Sequence, residues 1–165
     1  MKGMVIFMAN VKKRISREGY EKLEADLEYL ITVKRAEVAE KLKEARSFGD
    51  LSENAEYDEA KNEQGILEAK IAELEAYIAN AEVVDDDDVS IDEIGVGSKI
   101  KIKDIELGEI ETLHIVGSTE SDPDKGKISD ESPIGKAAMK KHVGDIIEVE
   151  APVGVIKFEI VEITK

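Results

Sequence analysis

Gly49-Asp50-Leu51-Ser52-Glu53-Asn54-Ala55-Glu56-Tyr57 is a short, carboxylate-bearing connection between two long helical patterns, and its reading decides the fold. Before it, leucines recur at Leu23, Leu27 and Leu30. After it, apolar residues recur at Leu67, Ile71, Leu74 and Ile78. The alternating three-and-four spacing is that of a coiled-coil seam. Paired antiparallel, Leu23 meets Ile78, Leu27 meets Leu74 and Leu30 meets Ile71, which puts the fold point between Asp50 and Leu51. Next in that register comes Lys34 opposite Leu67, where the lysine stem can cover apolar surface while its ammonium stays in water. Val38, Leu42 and Ala45 continue the first stripe after a stutter. Gly49 suits the left-handed conformation that ends a helix, so the pattern predicts an αα-hairpin.

The arms can be bounded. Ser16 is an N-cap candidate, Glu18 lies in the first turn, and Ile15 and Tyr20 occupy the two positions of a hydrophobic staple. Helix one is expected from Arg17 to about Phe48, about 48 Å at 1.5 Å per residue. Helix two is expected from about Ser52 to about Glu82. Two matched arms of this length would carry the Asp50 turn to the end of a rod.

Composition limits the function classes. With 165 residues, one or two small domains are expected. There is no apolar run near the length of a membrane span. The apolar residues Val5 to Met8 are too few for a secretory signal, which favours a cytoplasmic location. The chain has no cysteine and two isolated histidines, His114 and His142, so neither disulfides nor a zinc site is expected. Net charge is −15, unevenly spread. Residues 1–80 carry 13 basic and 17 acidic groups, residues 81–165 carry 10 and 21. Phosphate backbones repel such a body, so autonomous nucleic-acid binding is not expected, and a basic protein surface is the better partner.

Asp85 to Asp88 lack the spacing and central glycine of an EF-hand loop and read as a solvated linker. Beyond them the periodicity becomes alternating. Lys99 to Lys103, Ile110 to Val116, Asp145 to Val149 and Val155 to Ile163 read as strands. Ser132 as N-cap and Pro133 at the first helical position start one short helix. The fold class is therefore α+β: an N-terminal extension over 1–15, an antiparallel coiled-coil hairpin over 16–83, an acidic linker over 84–93, and a small sheet domain over 94–165.

The run GDLSENAEY continuing into DEAKNEQG, the SREGY start of helix one and the later ISDESPIGKA segment together resemble the bacterial Gre-type transcript-cleavage factors, nearest their GreA branch. The resemblance spans Ser16 to Ile163. It implies a hairpin that enters the secondary channel of RNA polymerase and an FKBP-like domain docked on the channel rim. It also implies that the tip stimulates the polymerase's own cleavage of backtracked RNA, without the chain being an enzyme. Asp50 and Glu53 match the family's acidic tip pair, and Arg46 and Lys61 its basic positions beside the tip.

The chemistry suits such a pair. Hydrolysis of a phosphodiester in a two-metal site uses hard oxygen ligands around Mg²⁺, and two donated carboxylates would help hold an ion that the polymerase binds weakly. Asp50-Leu51-Ser52-Glu53 is equally a capping-box pattern that starts helix two. For Arg46 and Lys61, a contact to the phosphates of extruded RNA and an ordinary solvated helix face both stay open. Lys41 and Lys43 are weaker candidates. Asn54 and Tyr57 read as shapers of the turn. Three other functions compete: a non-cleaving channel inhibitor, an FKBP-type prolyl isomerase or chaperone, and a coiled-coil adaptor. The isomerase would need aromatic pocket walls, yet residues 81–165 hold Phe158 as their only aromatic.

Overall fold

The structure, a computed structural model, describes residues 12–47 and 54–165. It divides into two compact units, one holding Tyr20–Ala81 and the other Lys12–Gly19 with Glu82–Lys165. The division thus cuts inside the first helix, three residues past its start.

In the helical unit, α1 (Arg17–Tyr29), a π-helical segment (Leu30–Lys34) and α2 (Arg35–Ser47) form the first arm, and α3 (Asn54–Ala79) the second. Leu23, Val38, Leu42, Ala45, Ala60, Ile71 and Leu74 are buried. The first-arm stripe Leu23, Leu27, Leu30 and Lys34 would continue in α-geometry at Glu37, Lys41 and Glu44. Those side chains are exposed, and Val38, Leu42 and Ala45, each one residue later, take the buried positions. A π turn carries an extra residue, so the segment at Leu30–Lys34 rotates the stripe and is the physical form of the stutter. Beyond it Val38 and Leu42 pack with Ala60, Tyr57 and Leu67. The expected fold point between Asp50 and Leu51 lies outside the described residues.

Helix two was expected to reach about Glu82, but α3 ends at Ala79 and the chain turns into β2 (Ala81–Val84), which pairs with β1 (Lys13–Ser16). Neither strand is visible as a periodic pattern, being four residues long. Ser16 caps α1 as expected, its Oγ accepting from Gly19 N–H at 3.0 Å. The same hydroxyl also bonds Glu120, and the Ser16 N–H donates to that carboxylate at 3.2 Å. Glu120 thus sits over the N-terminal turn of α1, where the helix dipole favours an anion. A bidentate Arg17–Asp85 pair, at 2.7 and 3.0 Å, ties the same turn to the start of the acidic run.

The sheet unit is a five-stranded sheet in the order β5-β4-β3-β7-β6, from β3 (Lys99–Asp104), β4 (Ile110–Val116), β5 (Lys127–Ser129), β6 (Ile146–Ala151) and β7 (Gly154–Thr164). Only β4 and β5 run parallel; the other pairs are antiparallel. Helix α4 (Pro133–Ala138) closes the core, Ile134 and Ala138 packing with Ile100, Ile102, Ile115, Ile147, Phe158 and Ile160. A bulge in β7 lets Lys101 pair with Glu162 and Ile102 with Ile160. It passes over Val161, which is why Ile160 and Ile163 both face the core while Val161 is partly exposed. The architecture is therefore the α+β one expected, a helical hairpin and a small sheet domain. No helix among the described residues is long and apolar enough to cross a membrane.

Candidate functional site

Asp50 and Glu53 lie outside the described residues. What the structure places is the pair of helix ends that flank them. Arg46 stands in the last turn of α2 and Lys61 in the second turn of α3. Antiparallel folding brings both onto one groove of about 350 Å³, lined also by Ala39, Leu42, Lys43 and Gln64. Every charged side chain of that lining is a cation.

Each groove cation has a partner. Arg46 Nη2 donates to Tyr57 Oη at 3.3 Å, and its guanidinium lies 5.6 Å from the centre of the Tyr57 ring. Tyr57 is half-buried against Val38, Leu42 and Ala60, so the ring is a fixed platform. The hydrogen bond from Arg46 is the main cause that draws the Tyr57 hydroxyl below its usual range and raises Arg46 further. Lys61 Nζ donates to Gln64 Oε1 at 3.3 Å, and Lys43 lies 3.7 Å from Glu40. Tyr57 was expected to shape the turn; its role as the partner of Arg46 escaped the sequence reading, because the two meet only once the arms are folded together. Gln64 could have been found from its position three residues after Lys61 on one helix face.

Farther along the hairpin Arg35 reaches Glu68 and Lys41 reaches Glu63 across the arms, each at 2.8 Å. Among the described residues no group of three or more His, Asp or Glu side chains could hold a metal ion. In the sheet unit a second cavity, of about 330 Å³, lies where Ser16, Arg17 and Asp85 meet Val96, Ile115, His114 and Glu120. No Phe, Tyr or Trp side chain lines it. Phe158 is buried in the core.

Fold and groove together define a class: a charged helical hairpin, with carboxylates in its connection and cations beside it, carried by a small α+β domain. Two family models match the chain, "Transcription elongation factor, N-terminal" over residues 13–83 and "Transcription elongation factor, GreA/GreB, C-term" over residues 88–165. The chain is 57% identical over 151 residues to transcription elongation factor GreA of Thermoanaerobacter pseudethanolicus, covering 92% of this chain and 96% of that one. It is 58% identical over 151 residues to the GreA of Caldanaerobacter subterraneus subsp. tengcongensis, with the same coverage. Among solved structures it is similar to GreA factor homolog 1 of Thermus thermophilus, with 30% identity, a TM-score of 0.43, and 93% and 99% of the two chains covered. The chain belongs to the GreA/GreB family of transcription elongation factors, on its GreA side.

Proposed function

We propose that this chain binds bacterial RNA polymerase in the cytoplasm, enters the secondary channel with its hairpin, and stimulates the polymerase's own cleavage of backtracked RNA. The observation that carries the reading is the groove of Lys43, Arg46 and Lys61, which flanks the connection bearing Asp50 and Glu53. Cations suit the phosphates of extruded RNA, and carboxylates suit a hard divalent ion. The Mg²⁺ of the polymerase site, when bound, supplies activation of the attacking water and stabilisation of the leaving oxygen. Asp50 and Glu53 would contribute ligands to it, and Arg46 and Lys61 would hold the RNA 3′ end in place by its phosphates. Two carboxylates make an incomplete nuclease site, so the chain acts as a donor of ligands and the polymerase remains the enzyme. The acidic excess of residues 81–165 would serve docking on a basic rim, with affinity falling as salt rises.

The prolyl-isomerase reading finds no support in a sheet unit whose one Phe is buried, which holds no Tyr or Trp, and whose cavity none of these rings lines. Backtracked elongation complexes carrying 5′-labelled RNA test the cleavage reading against that of a non-cleaving channel inhibitor. Wild-type protein with Mg²⁺ should shorten the RNA. Asp50→Asn and Glu53→Gln should keep thermal stability and polymerase binding while losing stimulated cleavage by about 10- to 1000-fold, comparable to removing one preorganised electrostatic contact. Unchanged cleavage in the double variant would return both residues to helix capping, and cleavage without polymerase would overturn ligand donation.

A further inference from the structure

Among the described residues, the partnered cations of the hairpin are held in two ways, by carboxylates or by neutral oxygens. Arg35, Lys41 and Lys70 each meet a carboxylate, that of Glu68, Glu63 and Glu73, at 2.8, 2.8 and 2.9 Å. Of the three groove cations, Arg46 and Lys61 meet neutral oxygens among the described residues, the Tyr57 phenol and the Gln64 amide, each at 3.3 Å, while Lys43 lies 3.7 Å from the Glu40 carboxylate. A carboxylate both orients a cation and cancels its charge. A neutral oxygen orients it by a dipole and leaves the charge in place.

The donor count agrees with this. A guanidinium has five N–H donors in a planar fork and an ammonium has three. Among the described residues Arg46 makes one hydrogen bond, to Tyr57, which leaves four donors, enough for a bidentate grip on a phosphate. The ring of Tyr57, packed on Val38, Leu42 and Ala60, restricts Arg46 further by stacking under it. The depressed titration of the Tyr57 hydroxyl reflects the same cation beside it. Lys43, the third cation of the groove lining, lies 3.7 Å from the Glu40 carboxylate and is partly neutralised by it.

We propose that Tyr57 and Gln64 are positioning residues that hold Arg46 and Lys61 by neutral oxygens, so that both cations stay aimed and uncancelled for the phosphates of single-stranded RNA. This rests on the RNA-contact role of Arg46 and Lys61 given above. Its distinctive consequence concerns charge. Gln64→Glu keeps the shape, the helix propensity and an acceptor for Lys61, and adds only a negative charge, whereas Gln64→Ala removes the hold but keeps the field.

The test measures affinity for a backtracked elongation complex and for one without extruded RNA, over a series of salt concentrations, with helicity followed by circular dichroism. Gln64→Glu should weaken binding to the backtracked complex about tenfold, the scale of a lost close charge contact. It should leave binding to the other complex unchanged, and it should flatten the salt dependence by about 0.7 in log–log slope, the value for one single-strand phosphate contact. Gln64→Ala and Tyr57→Phe, which loosen without cancelling, should each cost about threefold, within the range of one net hydrogen bond. A purely structural role would make Gln64→Ala the worse of the two Gln64 changes. That order, or wild-type affinity and slope in Gln64→Glu while Arg46→Gln and Lys61→Gln weaken binding, overturns the positioning role alone. Wild-type behaviour of Arg46→Gln and Lys61→Gln overturns the RNA contact and the positioning role together.

Discussion

The two units hold themselves together by different means. The sheet unit buries a compact cluster on one face of five strands, with Ile102, Ile115, Ala138 and Ile160 fully shielded. The hairpin has one seam, two helices wide, where residues such as Leu23, Leu42 and Leu74 are buried and most others face water. Its arms are also linked by exposed ion pairs, which solvent screens and which add little to stability. A two-helix rod can carry charge on nearly every face because its core is so thin, while a sheet domain can carry a docking surface because its core needs little help. The hairpin should therefore be fragile along one line, and the sheet unit at close backbone contacts.

The largest effect expected is at the seam. Leu74→Asp removes a buried leucine and desolvates a carboxylate, costing about 3 kcal/mol or more. Helicity and stimulated cleavage should fall together, while the sheet unit keeps its own thermal transition. If both units melted as one, or the variant stayed fully helical and active, the picture of a separate, seam-dependent hairpin would fail.

In the sheet unit the corresponding weak point is Gly135. Ser132 Oγ accepts from the Gly135 N–H at 3.0 Å and donates to the Ser129 carbonyl at 2.6 Å, folding the ISDESPIG segment tightly onto itself. A Cβ at Gly135 would stand 2.9 Å from the Ser129 carbonyl carbon and 3.0 Å from the Asp130 Cα, both backbone atoms unable to swing away. Gly135→Ala should destabilise the sheet unit by about 2–3 kcal/mol, the upper part of the overpacking range, and leave hairpin helicity alone. Calorimetry on the full chain reads this as a shift of one transition.

The sequence carried most of this because most of it is local. Seam spacing, the Ser16 and Ser132 caps, Pro133 and the four longer strands are signals within a few residues of each other. What it did not carry is non-local or geometric. Leu30–Lys34 looks like ordinary helix, and only the later placement of Val38 and Leu42 betrays the π turn. Glu120 joins Ser16 from 104 residues away, and Tyr57 reaches Arg46 only across the folded arms. Of the candidate site, Arg46 and Lys61 were found from the resemblance and their convergence from the structure. Asp50 and Glu53 lie outside the described residues.

A smaller effect, of opposite sign, should come from Gly65 in the middle of α3. A Cβ there meets nothing within 4 Å, so the glycine carries the entropic cost of a helix interior without any steric reason. Gly65→Ala should stabilise the hairpin by about 0.5–1 kcal/mol. If the variant stimulates cleavage by polymerase less despite being more stable, flexibility of this arm is part of its function. If stimulation matches wild type, the thin seam is simply below its stability optimum.

The smallest effect is a pH dependence confined to the sheet unit. His114 is half-buried on β4, and its pKa is lowered below 6.5, first by burial and then by the positive charges of Lys99 and Lys127, with Glu120 opposing. The folded unit therefore binds fewer protons than the unfolded chain in this range. Stability is held above the ordinary histidine value and lost as pH falls through the depressed one. Asp130 works the other way: burial first, then Glu131, raises its pKa above 3.8, so its ionisation disfavours the fold as pH rises from the acid end. Melting scans should show the sheet transition falling on acidification below about pH 6.5, where an ordinary histidine titrates, with the hairpin transition unmoved by His114. His114→Gln should flatten that slope. A slope that survives the substitution would mean that the acid sensitivity comes from the carboxylates, and the contrast between a charge-tolerant hairpin and a burial-dependent sheet would then not extend to titration.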